Sequence, residues 1–408
     1  MVNKTVWFIF QEASPIGKGA YSRHYYFAKE LQKKGYYTKI ITSNFHHFQS
    51  KRKKVKGIFE QSIEDGVETI WVSVNKYPSA HSYKRIFSWL LFMSKLFLIP
   101  FTKVSPPDYI IVSSPSLTTV NAARFLSWYY GKSKLILELR DIWPETLVEV
   151  GNISKRHILI RWMYHIEKRA YNKVNYIIST LPFADIRVKE ILKDKPFKFR
   201  CIPQGVSPIA NSKENEGLVS NSIPPDKFII GYSGTIGASN ALETLIKTAR
   251  SFSEEKISDI HFVLIGDGAS LDILTKLANG LSNVLFIPKV PKEDLPKILS
   301  KCDVLYDSTK ALELYKYGLS RNKWIDYMLA SKPMLVSYSG RLSMIDEAKN
   351  GLVVKSEDVF ELKKAILQLK NLNEEELIQM GKKGKEYVLQ NRTFKTLTNE
   401  LIEVLNDC

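Results

Sequence analysis

The sequence predicts an α/β protein made of two tandem Rossmann-like, doubly wound domains facing a cleft. Three observations predict it. The chain has 408 residues, too many for one ordinary domain, and two domains of roughly 200 residues each are the natural division. Val/Ile-rich runs alternate with helical patterns through both halves, as expected for parallel sheets covered on both faces. Between the halves, Asn211–Gly217 and Ser220–Pro225 are polar and turn-rich, the composition of a linker. The expected divisions are 1–208, 209–385 and a C-terminal helical segment, 386–408, packing back toward the first domain.

In the first half the strand candidates are Val6–Phe10, Lys39–Thr42, Thr69–Val72, Tyr109–Val112, Leu135–Glu138 and Tyr176–Ser179. Helical patterns at Tyr21–Lys34 and Leu117–Tyr130 lie between them. In the second half, Phe228–Tyr232, His261–Ile265, Val284–Pro288, Val304–Tyr306 and Met334–Ser337 read as strands. Ala241–Ser251, Ser270–Asn279, Pro291–Ser300, Arg321–Ala330 and Leu342–Ala348 read as helices. From Glu374 the chain is helical and charged. Ligands of such sheets sit at the carboxyl ends of strands, so the cleft between two sheets is the expected site.

The net charge of +17 implies an anionic partner: nucleic acid, a phosphorylated substrate or an acidic membrane surface. Cys201, Cys302 and Cys408 are far apart and form no CxxC, which fits free thiols in a reducing cytoplasm. No targeting signal is expected ahead of the strand-like run Thr5–Phe10. The apolar run Ile86–Phe101 is interrupted by Lys95 and is shorter than the ~20 residues of a membrane span. Flanked by Lys84, Arg85 and Lys103, it reads either as a buried helix or as one lying at an anionic membrane surface. The expected location is therefore cytoplasmic, peripheral at the inner face of the cell membrane. The basic run Lys51–Lys56, after Phe45-His-His-Phe48, reads as a solvated loop or as a contact for phosphate or a lipid headgroup.

The most informative segment is Tyr317–Pro333, a loop running into a short amphipathic helix. Ser320 is a plausible N-cap, with Lys323 and Asp326 three apart on one face. Near a helix N-terminus a lysine suits phosphate and a carboxylate suits sugar hydroxyls. The plain alternative is a capped surface helix with an ion pair. Gly231-Tyr-Ser-Gly-Thr-Ile-Gly237 follows a strand, and Asn240 with Glu243 has capping-box spacing. Its glycine spacing is not the dinucleotide fingerprint. Gly266-Asp-Gly268 is a second strand-to-helix turn. Three such segments at strand ends in one domain would converge on one nucleotide pocket. In the first domain, Pro15–Arg23 follows the first strand. Glu138–Glu145 puts Arg140 and Asp141 at a strand's end, either facing substrate or as a buried pair fixing a loop.

These segments, with Ile202-Pro-Gln-Gly-Val206 and Val263–Gly268, resemble glycosyltransferase family 4 of the GT-B fold. Asp141-Ile-Trp-Pro-Glu145 and the Ser320–Tyr327 pattern look like its bacterial subgroup containing N-acetylfucosamine transferases of O-antigen and capsule pathways. The resemblance implies a retaining, metal-independent transferase, hexosyl- or N-acetylhexosaminyl-type, acting on a UDP-linked sugar donor and a lipid-linked saccharide acceptor. It implies no cofactor. Donor contacts would be Gly234, Thr235, Ser239, Asn240, Gly266, Gly268, Val290, Asn322, Lys323 and Asp326. Gly17, Gly19, Arg23, Arg140, Asp141 and Glu145 would line the acceptor side. Lys323, Arg321 and Asp141 are the candidate catalytic residues, the two cations holding leaving-group charge. No Asp-x-Asp metal pair stands out. The chain departs from the family at Gly318, where a glutamate is usual. It also lacks the usual arginine and lysine near Thr235 and Asn240, and has serine near Ser113–Ser114 in place of a histidine. The alternatives are a nucleotide-sugar epimerase of the same fold and a non-catalytic nucleotide or nucleic-acid binder. No nucleic-acid-binding motif is present, and nucleic acid is not an expected partner.

Overall fold

Continuous apolar runs become central strands because both faces of the sheet are buried. The computed structural model describes residues 4–19, 21–46, 49, 52–78, 82–131, 133–206, 222–291 and 294–408. Its first unit comprises the residues up to Gly205 together with Phe394–Cys408. It holds strands β1 (Thr5–Ile9), β2 (Tyr37–Ser43), β3 (Phe59–Glu64), β4 (Val67–Val72), β5 (Tyr109–Ser113), β6 (Lys134–Leu139), β7 (Tyr176–Ser179) and β8 (Phe199–Cys201). Among the described residues they form one sheet in the order β3-β4-β2-β1-β5-β6-β7-β8. The ladder is parallel except for β3, which pairs antiparallel with β4 at the edge. The β3–β4 hairpin turns at Asp65-Gly66, both with positive φ.

One face of this sheet buries Trp7, Ile9, Phe92, Leu96, Val112 and Leu126; the other buries Phe8, Phe10, Tyr25, Ile111 and Ile136. The second face is completed by the Phe394–Asp407 helix, whose Phe394, Leu397, Leu401 and Val404 recur at helical spacing and join that core. Phe394 stacks on Tyr26 at 4.6 Å. The division expected at 385/386 falls within the Glu374–Asn391 helix, and the chain returns to the first unit at Phe394.

The second unit, Val206–Thr393, has strands β9 (Phe228–Ser233), β10 (Ile260–Ile265), β11 (Val284–Ile287), β12 (Val304–Ser308), β13 (Met334–Ser337) and β14 (Gly351–Val354). All pair in parallel in the order β11-β10-β9-β12-β13-β14. The strand order reverses beside β9, placing the β9, β10 and β12 carboxyl ends at the switch where doubly wound sheets bind ligands. The linker expected before Lys227 lies mostly outside the described residues, as do His47, Phe48 and Lys51 of the aromatic-basic stretch. Within that stretch Lys53 pairs with Glu64 at 3.0 Å and Arg52 donates to the Val74 carbonyl. These two cations hold the β3–β4 edge.

The Ile86–Phe101 run forms the Tyr83–Leu96 helix and a short 3₁₀ turn, Ile99–Phe101. Trp89, Phe92, Leu96 and Ile99 are buried, while Phe87 and Phe101 are exposed, so the helix is a core element with a partly apolar outer face. Among the described residues no helix is long and apolar enough to cross a membrane.

Candidate functional site

At the carboxyl edge of the second sheet, β12 ends in Asp307-Ser308, both fully buried. A buried carboxylate needs charge and hydrogen-bond partners. Asp307 has three: Lys323 Nζ at 2.8 Å, Arg321 Nη1 at 2.8 Å and Trp324 Nε1 at 2.7 Å. Loss of water pushes the Asp307 carboxyl up, but Arg321 and Lys323 outweigh it and hold the group below the ordinary aspartate range. Loss of water also pulls Lys323 down, with Asp307 opposing. One carboxylate facing two cations leaves a local excess of positive charge.

The cations come from the start of the Asn322–Leu329 helix. Ser320 is not its N-cap. The helix begins two residues later, and the N-cap position belongs to Arg321, whose side chain makes no cap bond. Tyr327, fully buried, ties the helix to the end of β9: its hydroxyl accepts from the Ser233 amide at 2.6 Å and donates to the Ser233 carbonyl at 3.1 Å. Trp324, Ile325 and Met328 fill the core beneath. The ion pair of Lys323 thus reaches across to β12, and the ammonium also lies 4.0 Å from the Tyr232 ring centroid.

The glycine loops meet at the same place. A Cβ built on Gly266 would stand 1.9 Å from the Gly234 carbonyl oxygen, and one on Gly268 would stand 2.3 Å from the Ile236 carbonyl oxygen. A Cβ on Gly234 would lie 3.1 Å from Lys323 Nζ. Gly234 and Gly266 have φ of +144° and +146°, which side-chain-bearing residues rarely adopt. These glycines let the two loops pack on each other and on Lys323. The structure thereby brings together Gly234, Gly266, Gly268, Arg321 and Lys323. Asn240 joins them, its Oδ1 accepting from Arg321 at 3.3 Å and its Nδ2 donating to the Thr235 carbonyl at 2.7 Å. Asn240 is therefore a loop brace and makes no capping box, since the following helix starts at Glu243 after Leu242. Thr235 and Ser239 are exposed on this loop, as is Asn322 at the helix start. Asp326 is half-buried on the next turn. Val290 packs partly against the core beyond β11.

In the first unit the acceptor-side candidates separate into two groups. Arg23 and Glu145 are buried and engaged within the first unit. Arg23 donates through Nε to Glu138 at 3.0 Å and through its other nitrogens to the carbonyls of Pro203 and Ile202. It braces the sheet against the segment that follows β8. Glu138 also meets His24 Nε2 at 2.8 Å and accepts from Ser113. Loss of water opposes the Glu138 carboxylate, but His24 and Arg23 hold it well below the usual range. Glu145 faces Arg187 at 3.1 Å and accepts from Tyr164 at 3.0 Å, within a network that also binds Glu167.

Arg140 and Asp141 remain at the carboxyl edge. Arg140 stacks over Phe10 and Tyr21, each at 4.8 Å, and its Nη1 is buried without a hydrogen-bond partner, a donor a ligand could satisfy. Asp141 is exposed; loss of water lifts its carboxyl to about 6, with Arg140 opposing and Glu12 reinforcing. Gly17, with φ +75° and nothing near its Cβ position, and Gly19, bridged to Gln49, shape the loop after β1. Ser114 accepts from the Arg140 amide at 2.9 Å. Asp307 went unnoticed in the sequence, and Glu138 was read only as the end of a strand, because each is a polar residue closing an apolar run. Among the described residues no cluster of three or more His, Cys, Asp or Glu is arranged to hold a metal ion.

Residues 227–371, which include the Gly234 and Gly266 loops, Asp307, Arg321 and Lys323, match the family described as glycosyl transferases group 1. The probable glycosyltransferase WbjE of Pseudomonas aeruginosa is 22% identical over 276 residues, covering 64% of this chain and 65% of that protein. The match thus spans just under two thirds of that relative. The putative colanic acid biosynthesis glycosyl transferase WcaI of Escherichia coli is 25% identical over 287 residues, covering 67% of this chain and 69% of that protein. Sucrose-phosphate synthase from Thermosynechococcus elongatus matches with a TM-score of 0.71 at 14% identity over 99% of both chains. HepE of Anabaena, solved in complex with UDP and glucose, matches with a TM-score of 0.63 at 13% identity over 99% of both chains. The chain has the two-domain α/β architecture of GT-B glycosyltransferases, and its residues 227–371 match the glycosyl transferases group 1 family.

Proposed function

We propose that the protein is a retaining, metal-independent glycosyltransferase. It moves a hexosyl or N-acetylhexosaminyl group from a UDP-sugar to a lipid-linked saccharide in bacterial surface polysaccharide synthesis. The N-acetylfucosamine transferases of O-antigen and capsule synthesis are the functional model for this reading. The observation that carries the reading is the pair Arg321 and Lys323, fixed by one buried carboxylate beside two interlocked glycine loops. As the bond from the anomeric carbon to the diphosphate breaks, negative charge builds on the leaving oxygen. Preorganised cations stabilise such charge more in the transition state than in the ground state. The backbone of the Gly234 loop and Lys323 would take the diphosphate, Asp326 the ribose hydroxyls, and Gly266–Gly268 with Val290 the base. Arg140, Asp141 and the Gly17–Gly19 loop would meet the acceptor at the other sheet. HepE was solved with UDP and glucose, and WcaI is named for colanic acid synthesis. Both support the donor and acceptor classes chosen.

The test is release of UDP from a panel of UDP-sugars in the presence of lipid-linked acceptors extracted from bacterial membranes. Transfer with retained anomeric configuration, lost in Lys323→Met, is expected. Absence of UDP binding and of transfer across the panel would overturn the reading. Donor conversion without acceptor would instead identify an epimerase.

A further inference from the structure

We infer that the solvent face of the Ile158–Tyr171 helix docks the protein on an anionic lipid surface. The helix buries Ile160, Glu167, Ala170 and Tyr171. Its outer stripe is Ile158, Arg161, Trp162, His165, Lys168 and Arg169, all exposed. The spacing of three and four puts them on one side of the helix. Ile158 is 82% exposed and Trp162 44%, an unusual place for an aliphatic and an indole side chain on consecutive turns. Arg156 and Lys173 extend the basic stripe at either end, both exposed. The stripe carries no acid. The helix's one carboxylate, Glu167, is buried against Arg187 at 2.7 Å and Tyr171 at 3.0 Å. Of the acids on adjoining elements, Glu190 lies 3.6 Å from Arg187 and Glu145 lies 3.6 Å from Lys155; Asp194 is exposed beside Lys195.

Cations near a helix C-terminus are favoured by its dipole, which accounts for Lys168 and Arg169. It accounts neither for Arg156 and Arg161 at the opposite end nor for the exposed Ile158 and Trp162. Basic side chains interleaved with an aliphatic residue and a tryptophan fit the boundary between headgroups and acyl chains. Nucleic acid would use the cations and gain nothing from Ile158. Beside the C-terminal turn, His165, Lys168, Arg169, Asn172, Lys173 and Lys195 line a groove of about 360 Å³, suited to a phosphate headgroup. The helix follows β6 by way of the short Glu145–Glu149 helix, so Ile158 begins on the side of the carboxyl edge bearing Arg140 and Asp141. Docking through Ile158 and Trp162 holds that edge toward the bilayer. The Phe87 and Phe101 face of the apolar run, with the exposed Lys84 and Lys103 beside it, is the competing surface.

The inference deepens the lipid-linked acceptor reading. It is tested without donor or acceptor, so its failure leaves that reading standing. Sedimentation with phosphatidylglycerol–phosphatidylcholine vesicles is compared with pure phosphatidylcholine vesicles. Salt-sensitive binding to the anionic vesicles is expected. It should fall about tenfold or more in Ile158→Ser/Trp162→Ser and in Lys168→Glu/Arg169→Glu. All four side chains are exposed, and unchanged circular dichroism with an unchanged urea-unfolding midpoint verifies the fold. Equal binding to both vesicle types would overturn the proposal. So would binding unaffected by either double variant but lost in Phe87→Ser/Phe101→Ser, or binding to RNA with none to vesicles.

Discussion

Lys323 Nζ donates to Asp307 Oδ1 at 2.8 Å while lying 4.0 Å from the Tyr232 ring centroid. One carboxylate therefore sets the position of both cations, since Arg321 shares it. In Asp307→Ala two largely buried cations face each other without a counter-charge. Breaking a buried pair from one side typically costs about 3–5 kcal/mol. We expect a loss of that order in urea unfolding, together with weakened UDP binding by calorimetry. Unchanged UDP affinity would separate the cluster from the donor site.

Lys323 also gives a pH signature with two opposite slopes. Burial lowers its pKa below 10.5 despite Asp307. Between the lowered folded value and 10.5 the unfolded chain holds more protons, so this group's contribution to stability rises with pH across that window. UDP affinity runs the other way, because a diphosphate needs the ammonium form. Paired unfolding and UDP titrations on the alkaline side should show both slopes, and Lys323→Met should flatten both.

Much of this site could be read from the sequence, and the missing parts share a cause. Gly234 and Gly266 stood out because glycine between a strand and a helix marks backbone that a side chain would obstruct. Lys323 stood out because it opens an amphipathic helix. Asp307 did not, because its partners are 14 and 16 residues away and the run Val304–Tyr306 reads as a strand that simply stops. Arg23 looked like a ligand contact for a related reason: its carboxylate, Glu138, is 115 residues distant, and only the folded sheet brings them together. The central strands were legible from their apolar runs. The edge strands β3, β8 and β14 were not, since they are short or have polar residues alternating with exposed ones. Ser320 shows the limit of cap rules at a helix whose first turn is held by tertiary ion pairs.

Asp141 should shape the acid side of the rate profile. Its carboxyl is raised to about 6, so the folded chain binds this proton more tightly than the unfolded chain. The group's contribution to stability is present below 3.8 and is lost as pH rises through about 6. That effect is small, because the side chain is open to solvent. Activity should respond more strongly. If the carboxylate form receives the acceptor hydroxyl, kcat/KM rises through a limb near pH 6. Asp141→Asn should abolish the limb and lower kcat/KM while leaving UDP affinity unchanged. A limb that persists in the variant assigns it elsewhere.

Gly266→Ala tests whether the two glycine loops act as one surface. The added methyl would meet the Gly234 carbonyl at 1.9 Å, and Gly234 in turn borders Lys323. Backbone strain at φ +146° contributes about 1–3 kcal/mol, and the collision must also push the Gly234 loop away from the ammonium. Gly280→Ala is the control: its φ is +79° and nothing lies within 4 Å of its Cβ position, so it carries strain without collision. Both variants should lose stability in urea, Gly266→Ala by more. UDP affinity should fall at least tenfold in Gly266→Ala and stay within twofold in Gly280→Ala, since about 1.4 kcal/mol of lost contact is a factor of ten. Equal UDP affinity in the two variants would mean that the loops meet for folding alone and that the donor binds elsewhere.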